Sequence, residues 1–224
     1  MKLSELDNQI LALDYSEDGS FFASAGKDMK IRLYDEETKV IKSVLQAIQW
    51  QSPGHNNRVF SVKFIGSDDP NTLVSGGWDN NVHFWDLRTS KTYATIYGPN
   101  LSGDAIDYRN GILVTGSHRS KEYLQVWDYK TKSKIQEINW EYAYQSEGAY
   151  VYSAQFPKKN CDYLVAGSTG VNEAKLFDVN NGYKPMAKLS DMKKGIYSVD
   201  CANKGGKIAM AGGEGIVYIL NIND

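Results

Sequence analysis

The sequence predicts an all-β chain assembled from repeated four-stranded sheets. Five segments follow one shared pattern, and no stretch sustains a 3.6-residue apolar period. Runs of about six residues, rich in β-branched and aromatic types as strands are, precede four of the five segments.

The shared pattern is a small-residue turn, a short alternating strand, then an aromatic or apolar residue followed by Asp or Asn. The first copy runs from Ser24-Ala25-Gly26-Lys27-Asp28 to Leu33-Tyr34-Asp35, and the second from Ser75-Gly76-Gly77-Trp78-Asp79 to Phe84-Trp85-Asp86. The third runs from Thr115-Gly116-Ser117 to Val126-Trp127-Asp128, and the fourth from Ala166-Gly167-Ser168 to Leu176-Phe177-Asp178. The fifth runs from Ala211-Gly212-Gly213 to Ile219-Leu220-Asn221. Upstream lie the runs Ile10 to Tyr15, Val59 to Phe64, Val151 to Phe156 and Ile196 to Cys201. Counting onward, each unit reads as strands a, b, c and d, with d expected at 39–45, 92–96, 133–138 and 183–189. The closing Asp/Asn positions are 35, 86, 128, 178 and 221, separated by 51, 42, 50 and 43 residues.

Those intervals, with Gly54-His55, Ser75, Asp79 and Trp85-Asp86 in the second copy, resemble the WD40-repeat family, whose blades take about 40–45 residues. The resemblance covers nearly the whole chain and implies a β-propeller. It also implies that His55, Ser75, Asp79 and Trp85 form a buried hydrogen-bond chain, a structural role rather than a catalytic one. The other copies depart from that pattern. The first has Leu6 where the His is expected and Tyr34 in place of Trp; the third inserts His118-Arg119-Ser120-Lys121-Glu122 without the Asp. The fourth carries Thr169-Gly170-Val171-Asn172-Glu173 there, and the fifth only Glu214-Gly215.

The expected organisation is a single WD40-repeat domain over 1–224, with blades at about 9–45, 55–97, 103–138, 149–189 and 195–224. Residues 2–6 are a candidate closing strand for the fifth blade. Five four-stranded blades also suit an incomplete seven-bladed ring whose remaining blades are absent or supplied by a partner, and this partial ring is the favoured expectation.

Composition narrows the function. Apolar residues make up 42% and charged residues 23%, which excludes a wholly disordered chain. The formal charge of −2 supplies no basic field, so nucleic acid is not an expected partner. No run approaches the roughly 18 apolar residues of a membrane span, and the start lacks a secretory or transit pattern. Cys161 and Cys201 lie far apart and read as buried reduced thiols, making an intracellular, by default cytoplasmic, setting the expectation, with nuclear or cytoskeletal settings left open.

Chemistry is sparse. There is no HExxH, GxSxG or Walker loop, and Gly212-Gly213-Glu214-Gly215 reads as a b–c hairpin turn. His83 is expected on an edge-packed or solvent-facing strand. No enzyme activity, cofactor or metal is expected. The resemblance implies partners held on the narrow face, by residues just before strand a and in the b–c turn. Those positions are Trp78, Arg58, Lys27, His118, Arg119 and Tyr150. Trp78 beside Arg58 has the composition of an interface hot spot, the alternative being that it packs on a neighbouring blade. A peptide or loop gripped by Trp78 and Arg58, with help from Tyr150, is the expected mode. The aromatic loops around Trp50 and Trp140 can cover a blade edge or reach a neighbour. The expected role is a protein–protein interaction scaffold within a larger intracellular assembly; the alternative is a substrate-recognition module that reads a short peptide, modified or not.

Overall fold

The computed structural model describes residues 2–119, 121–140, 148–159 and 162–222. Their strands form five antiparallel sheets in which sequence neighbours are sheet neighbours. Two compact units divide them, Met1–Ser102 and Gly103–Asp224.

In the first unit, blade one contains β1 (Ile10–Tyr15), β2 (Phe21–Gly26), β3 (Ile31–Asp35) and β4 (Ile41–Leu45). Blade two contains β5 (Val59–Phe64), β6 (Thr72–Gly77), β7 (Asn81–Asp86) and β8 (Lys91–Tyr97). In the second unit, blade three is β9 (Ile106–Arg109), β10 (Ile112–Gly116), β11 (Leu124–Asp128) and β12 (Lys134–Glu137). Blade four is β13 (Tyr150–Gln155), β14 (Tyr163–Thr169), β15 (Ala174–Asp178) and β16 (Lys184–Leu189). Blade five has three described strands, β17 (Ile196–Cys201), β18 (Lys207–Gly212) and β19 (Val217–Asn221). The all-β architecture of propeller blades predicted from the repeat is therefore present. The closing strand expected at 2–6 is not: none of those residues is in a strand. Glu5 is drawn into a side-chain network instead, and the chain turns at Leu6 and Asp7, the latter at φ 61°.

The repeated small-residue turn has a physical cause. Gly77 ends β6 where the backbone passes Arg58, and a Cβ there would lie 2.0 Å from the Arg58 carbonyl oxygen. Gly26 against Gln9 and Gly212 against Gly195 repeat the approach at the same 2.0 Å. The residue after each glycine donates its N–H to that same carbonyl: Trp78 to Arg58, Lys27 to Gln9 and Gly213 to Gly195, at 3.0–3.1 Å. Beside this contact strand a skips one residue in its pairing, a bulge between Ile10 and Ala12, Val59 and Ser61, Val151 and Ser153, and Ile196 and Ser198. A bulge re-aims the skipped side chain, which here is Leu11, Phe60, Tyr152 or Tyr197.

In the four-stranded sheets strands b and c carry most of the core because they lie in the middle. Every residue of β6 is buried, whereas β16 is exposed along nearly its whole length. In the first unit Leu33, Leu45, Val59, Val62, Leu73 and Trp85 share one apolar cluster. In the second, Trp140, Phe156, Leu164 and Phe177 form one cluster, and Ile196, Ile208, Met210 and Cys201 belong to another. Side chains also tie adjacent blades within a unit. The Phe64 N–H donates to the Asp14 carboxylate at 2.8 Å, and the Phe156 N–H to Asp107 at 2.7 Å. Among the described residues the helices are two three-residue 3-10 turns, Gly66–Asp68 and Val179–Asn181. None is long and apolar enough to cross a membrane.

Candidate functional site

In blade two the four residues named by the resemblance do meet. Ser75 Oγ, on β6, accepts the Trp85 indole N–H at 2.8 Å and bonds His55 Nε2 at 2.7 Å. His55 Nδ1 lies 2.8 Å from Asp79. The Asp79 carboxylate also accepts the N–H groups of Asn56 and Asn81, both at 3.2 Å. Burial pushes the Asp79 carboxyl up, but the His55 hydrogen bond and charge and those two N–H groups outweigh it. Its pKa ends below the ordinary carboxylate value. Each link joins a separate piece of chain: the segment before β5, strand β6, the β6–β7 turn and strand β7.

His83 belongs to this cluster, contrary to the expectation of an edge-packed or solvent-facing position. It stands opposite Ser75 in the β6–β7 ladder, is 2% exposed, and meets the His55 ring edge-on at 4.6 Å. Thr95 holds its Nδ1 at 2.9 Å, and Nε2 is buried. Burial, with the nearby His55, lowers its pKa to about 4. The strand alternates, but β7 is a central strand covered on both faces, so either face leads inward.

The first blade carries a counterpart that the sequence reading assigned to the wrong residue. Leu6 is 86% exposed, and Glu5 occupies the place of the His. Its carboxylate accepts from the Ser24 hydroxyl, from Tyr34 Oη at 2.9 Å, from Arg32 at 2.9 Å and from the Asn8 side-chain amide at 2.6 Å. Ser24 and Tyr34 hold the register positions that Ser75 and Trp85 hold in blade two. A carboxylate cannot donate to Asp28 as an imidazole donates to Asp79. Arg32, at the register position of His83, bridges the two acids, with 2.6 Å to Asp28. Counting back four residues from strand a, as from Val59 to His55, lands on Leu6; one extra residue in the connection moves the functional position to Glu5.

The remaining blades repeat the logic with other atoms. Trp127 donates to Thr115 at 2.9 Å. The b–c turns that lack Asp offer Glu in its stead, each meeting the strand-c residue at the His83 position. Glu122 accepts from Gln125 at 3.2 Å, Glu173 lies 3.5 Å from Lys175, and Glu214 accepts from Tyr218 at 2.9 Å. Glu173 also accepts the Trp140 indole N–H at 3.2 Å.

At the end of the sheets where strand a begins, two aromatic groups stand out, one in each unit. Trp78 is 41% exposed, and its ring lies 4.9 Å from Phe60, the bulged residue of β5. Its indole N–H donates to Ser102 at 2.9 Å, and the Arg58 guanidinium stands 5.4 Å from the ring. Trp78 therefore leans on its own blade while keeping an open face. In the second unit His118 stacks on Tyr150 at 4.4 Å and meets Tyr152 edge-on at 5.5 Å. Tyr152 in turn meets Tyr197 at 5.2 Å. Arg119 is exposed beside His118, and Lys27 is exposed in the blade-one turn. Sequence reasoning missed Phe60, Tyr152 and Tyr197; each is the residue that strand a skips in its pairing, directly after Val59, Val151 and Ile196.

The two aromatic loops take different courses. Trp140 is fully buried and packs on Phe177 at 5.7 Å, whereas Trp50, at φ 64°, is 95% exposed. A separate cleft of about 620 Å³ opens between blades one and two, bordered by Glu17, Phe21, Lys42, Pro70, Leu87 and Arg88. Cys201 is a buried free thiol whose pKa burial and the nearby Asp200 push up to about 12. Cys161, Ser120 and the part of the Trp140 loop from Glu141 to Gln145 lie outside the described residues.

Comparison with known proteins agrees with this geometry. The family described as "WD domain, G-beta repeat" matches residues 2–35 and 47–86, the repeats that hold the two fullest networks. The chain is 21% identical to the protein transport protein SEC31 of Saccharomyces cerevisiae over 96% of its length and 18% of that protein's. It is 25% identical to the ribosome biogenesis protein WDR12 homolog of Aedes aegypti, over 92% of this chain and 44% of that one. It is 26% identical to the APC/C activator protein CDC20 of Saccharomyces cerevisiae, over 78% of this chain and 29% of that one. The chain thus spans less than half the length of each of these relatives. Two WD40 repeats are thus matched directly, and the same a-to-d order of antiparallel strands recurs in the sheets that follow them.

Proposed function

We propose that this chain is a non-catalytic protein–protein interaction scaffold that works inside a larger intracellular assembly. Partners are held through the ends of the blades where strand a begins. The observation that carries this reading is Trp78: a half-exposed indole braced by Phe60 and by the hydrogen bond to Ser102, beside Arg58. An aromatic held in place before binding loses little side-chain freedom on contact, which is what makes Trp and Arg frequent hot spots. Lys27 is available for polar contacts in the same unit. Relatives named for protein transport, ribosome biogenesis and activation of the APC/C are compatible with work in assemblies.

A second reading, recognition of a short peptide, draws on the second unit. His118, Tyr150, Tyr152 and Tyr197 make a continuous aromatic run with Arg119 at its end, and such a strip suits an extended segment with apolar or aromatic side chains.

One experiment addresses both. The intact chain and its Trp78→Ala and Tyr150→Ala variants are used to capture partners from native extract, with mass spectrometry as readout. Trp78→Ala should lose the principal partner while unfolding stability changes by under about 1 kcal/mol, as for a surface substitution. Loss confined to Tyr150→Ala favours the peptide reading. Full retention by both variants overturns the use of these surfaces.

A further inference from the structure

We infer that the cleft between blades one and two binds a peptide segment of a partner protein, one with a large apolar side chain next to an acidic residue. The cleft lies at the end of these sheets opposite Trp78, where the a–b turns and the c–d connections run, and encloses about 620 Å³. Ligand pockets occupy roughly 300–1,000 Å³.

Its floor is apolar. Leu33 and Phe64 are buried, while Phe21 and Leu87 join the core of the unit only in part and keep apolar surface in water. Covering that surface with an apolar side chain is favourable. The walls are fixed before a ligand arrives. Glu17, in the blade-one turn, accepts the Ser67 N–H of the blade-two turn at 2.6 Å, and Asp14 holds the Phe64 N–H at 2.8 Å. A cleft braced in this way loses little freedom on binding.

Charge decides what accompanies the apolar group. The acids around the cleft are engaged: Glu17 with Ser67, Asp18 with the Ser16 and Ser20 hydroxyls, and Asp86 with Arg88. Lys42 is the cation left over. Its ammonium lies over the Phe21 ring at 3.9 Å and makes no ion pair among the described residues, Asp35 acting on it only at longer range. A ligand carboxylate beside that ring gains a charge-assisted hydrogen bond from Lys42. Asn71 favours a peptide over a simple fatty acid. Its side-chain amide is exposed in the blade-two wall and bonds no other described residue. It offers both donor and acceptor, the complement of a main-chain peptide group.

Fluorescence anisotropy of the intact chain with two fluorescein-labelled peptides, Ser-Leu-Leu-Asp-Ser and Ser-Asp-Leu-Leu-Ser, tests the assignment. At least one should bind saturably with a Kd below about 500 μM. Exchanging its Asp for Asn, or changing Lys42→Gln in the chain, should each weaken binding about fivefold, and both changes together should weaken it no further. Lys30→Gln, which removes a cation at the other end of blade one, should leave binding unchanged. Failure of both peptides, including the case in which decanoate alone binds, overturns the proposal. So does unchanged affinity of the Asn peptide or of Lys42→Gln, or loss of binding in Lys30→Gln. If Lys42→Gln does not fold, methyl chemical shifts of the wild type decide: changes at Leu33 and Leu87 on adding peptide support the site, and changes confined to other methyls overturn it.

Discussion

Ser75 is the hub of blade two because one small hydroxyl satisfies two buried groups at once, the Trp85 indole N–H and His55 Nε2. Ser75→Ala removes a single oxygen but strands both partners where water does not reach them. The expected loss is about 2–4 kcal/mol of unfolding free energy, from two buried groups left without partners at about 1–3 kcal/mol each, measured by urea denaturation. Gly77 is constrained for a different reason. With 2.0 Å between a built Cβ and the Arg58 carbonyl oxygen, Gly77→Ala forces the β5 bulge and the Trp78 turn apart. The hydrogen bond between Trp78 N–H and Arg58 goes with them. A loss of at least about 2 kcal/mol and a lower melting temperature are expected, as for other strained or broken backbone contacts. An alanine variant as stable as the wild type would show that the bulge can relax.

The connection between strands c and d recurs as an element with its own electrostatics. Asp35 accepts from the Thr38 N–H and hydroxyl, Asp128 from the same groups of Thr131, and Asp86 from the Arg88 side chain and N–H. These bonds favour the ionised form and hold all three carboxyls below their ordinary values. In the a–b turn of blade one Asp18 is lowered to about 2, first by the Ser16 hydroxyl and then by Ser20. A carboxyl whose pKa is depressed in the folded chain contributes stability above its unfolded value, near 4, and loses it as pH falls toward the folded value. The melting temperature should therefore begin to fall below about pH 6.5, where the unfolded chain takes up a proton on His83 that the folded chain refuses, and fall further below about 4 as these carboxyls protonate. Asp18→Asn and Asp128→Asn should each make that fall shallower, as read by thermal scans at several pH values.

Charge governs the expectation for the molecule as a whole. A formal charge of −2 over 224 residues supplies no net basic field toward phosphate backbones. Although one relative is named for ribosome biogenesis, the chain alone should give no mobility shift with single-stranded or duplex RNA at about 0.15 M salt, where the screening length is about 8 Å. A shift that weakens steeply with added salt would show instead that basic residues cluster on one face. Separating the units also sharpens what can be asked of binding. Trp78 and Arg58 lie in one unit, and His118 and Tyr150 in the other, so single variants test each proposed surface by itself.

The amino-acid sequence by itself determined the repeat, and with it the all-β class and the blades. Repetition is readable because the blades bury their middle strands alike and three of them pass the same tight approach at a glycine, Gly26, Gly77 and Gly212. It also determined the blade-two chain of His55, Ser75, Asp79 and Trp85, since each residue type stands at its expected spacing. Tertiary structure alone decided the rest. Glu5 replaces His in blade one because an extra residue in an irregular connection shifts the count, and two acids become compatible once Arg32 lies between them. His83 turns inward because a central strand is covered on both faces, which alternation cannot reveal. Trp140 is buried and Trp50 exposed although both follow a strand d, because burial depends on what the fold brings over each loop. The aromatic rim of Phe60, Tyr152 and Tyr197 exists because a backbone bulge in strand a of blades two, four and five, invisible in residue spacing, re-aims one side chain in each.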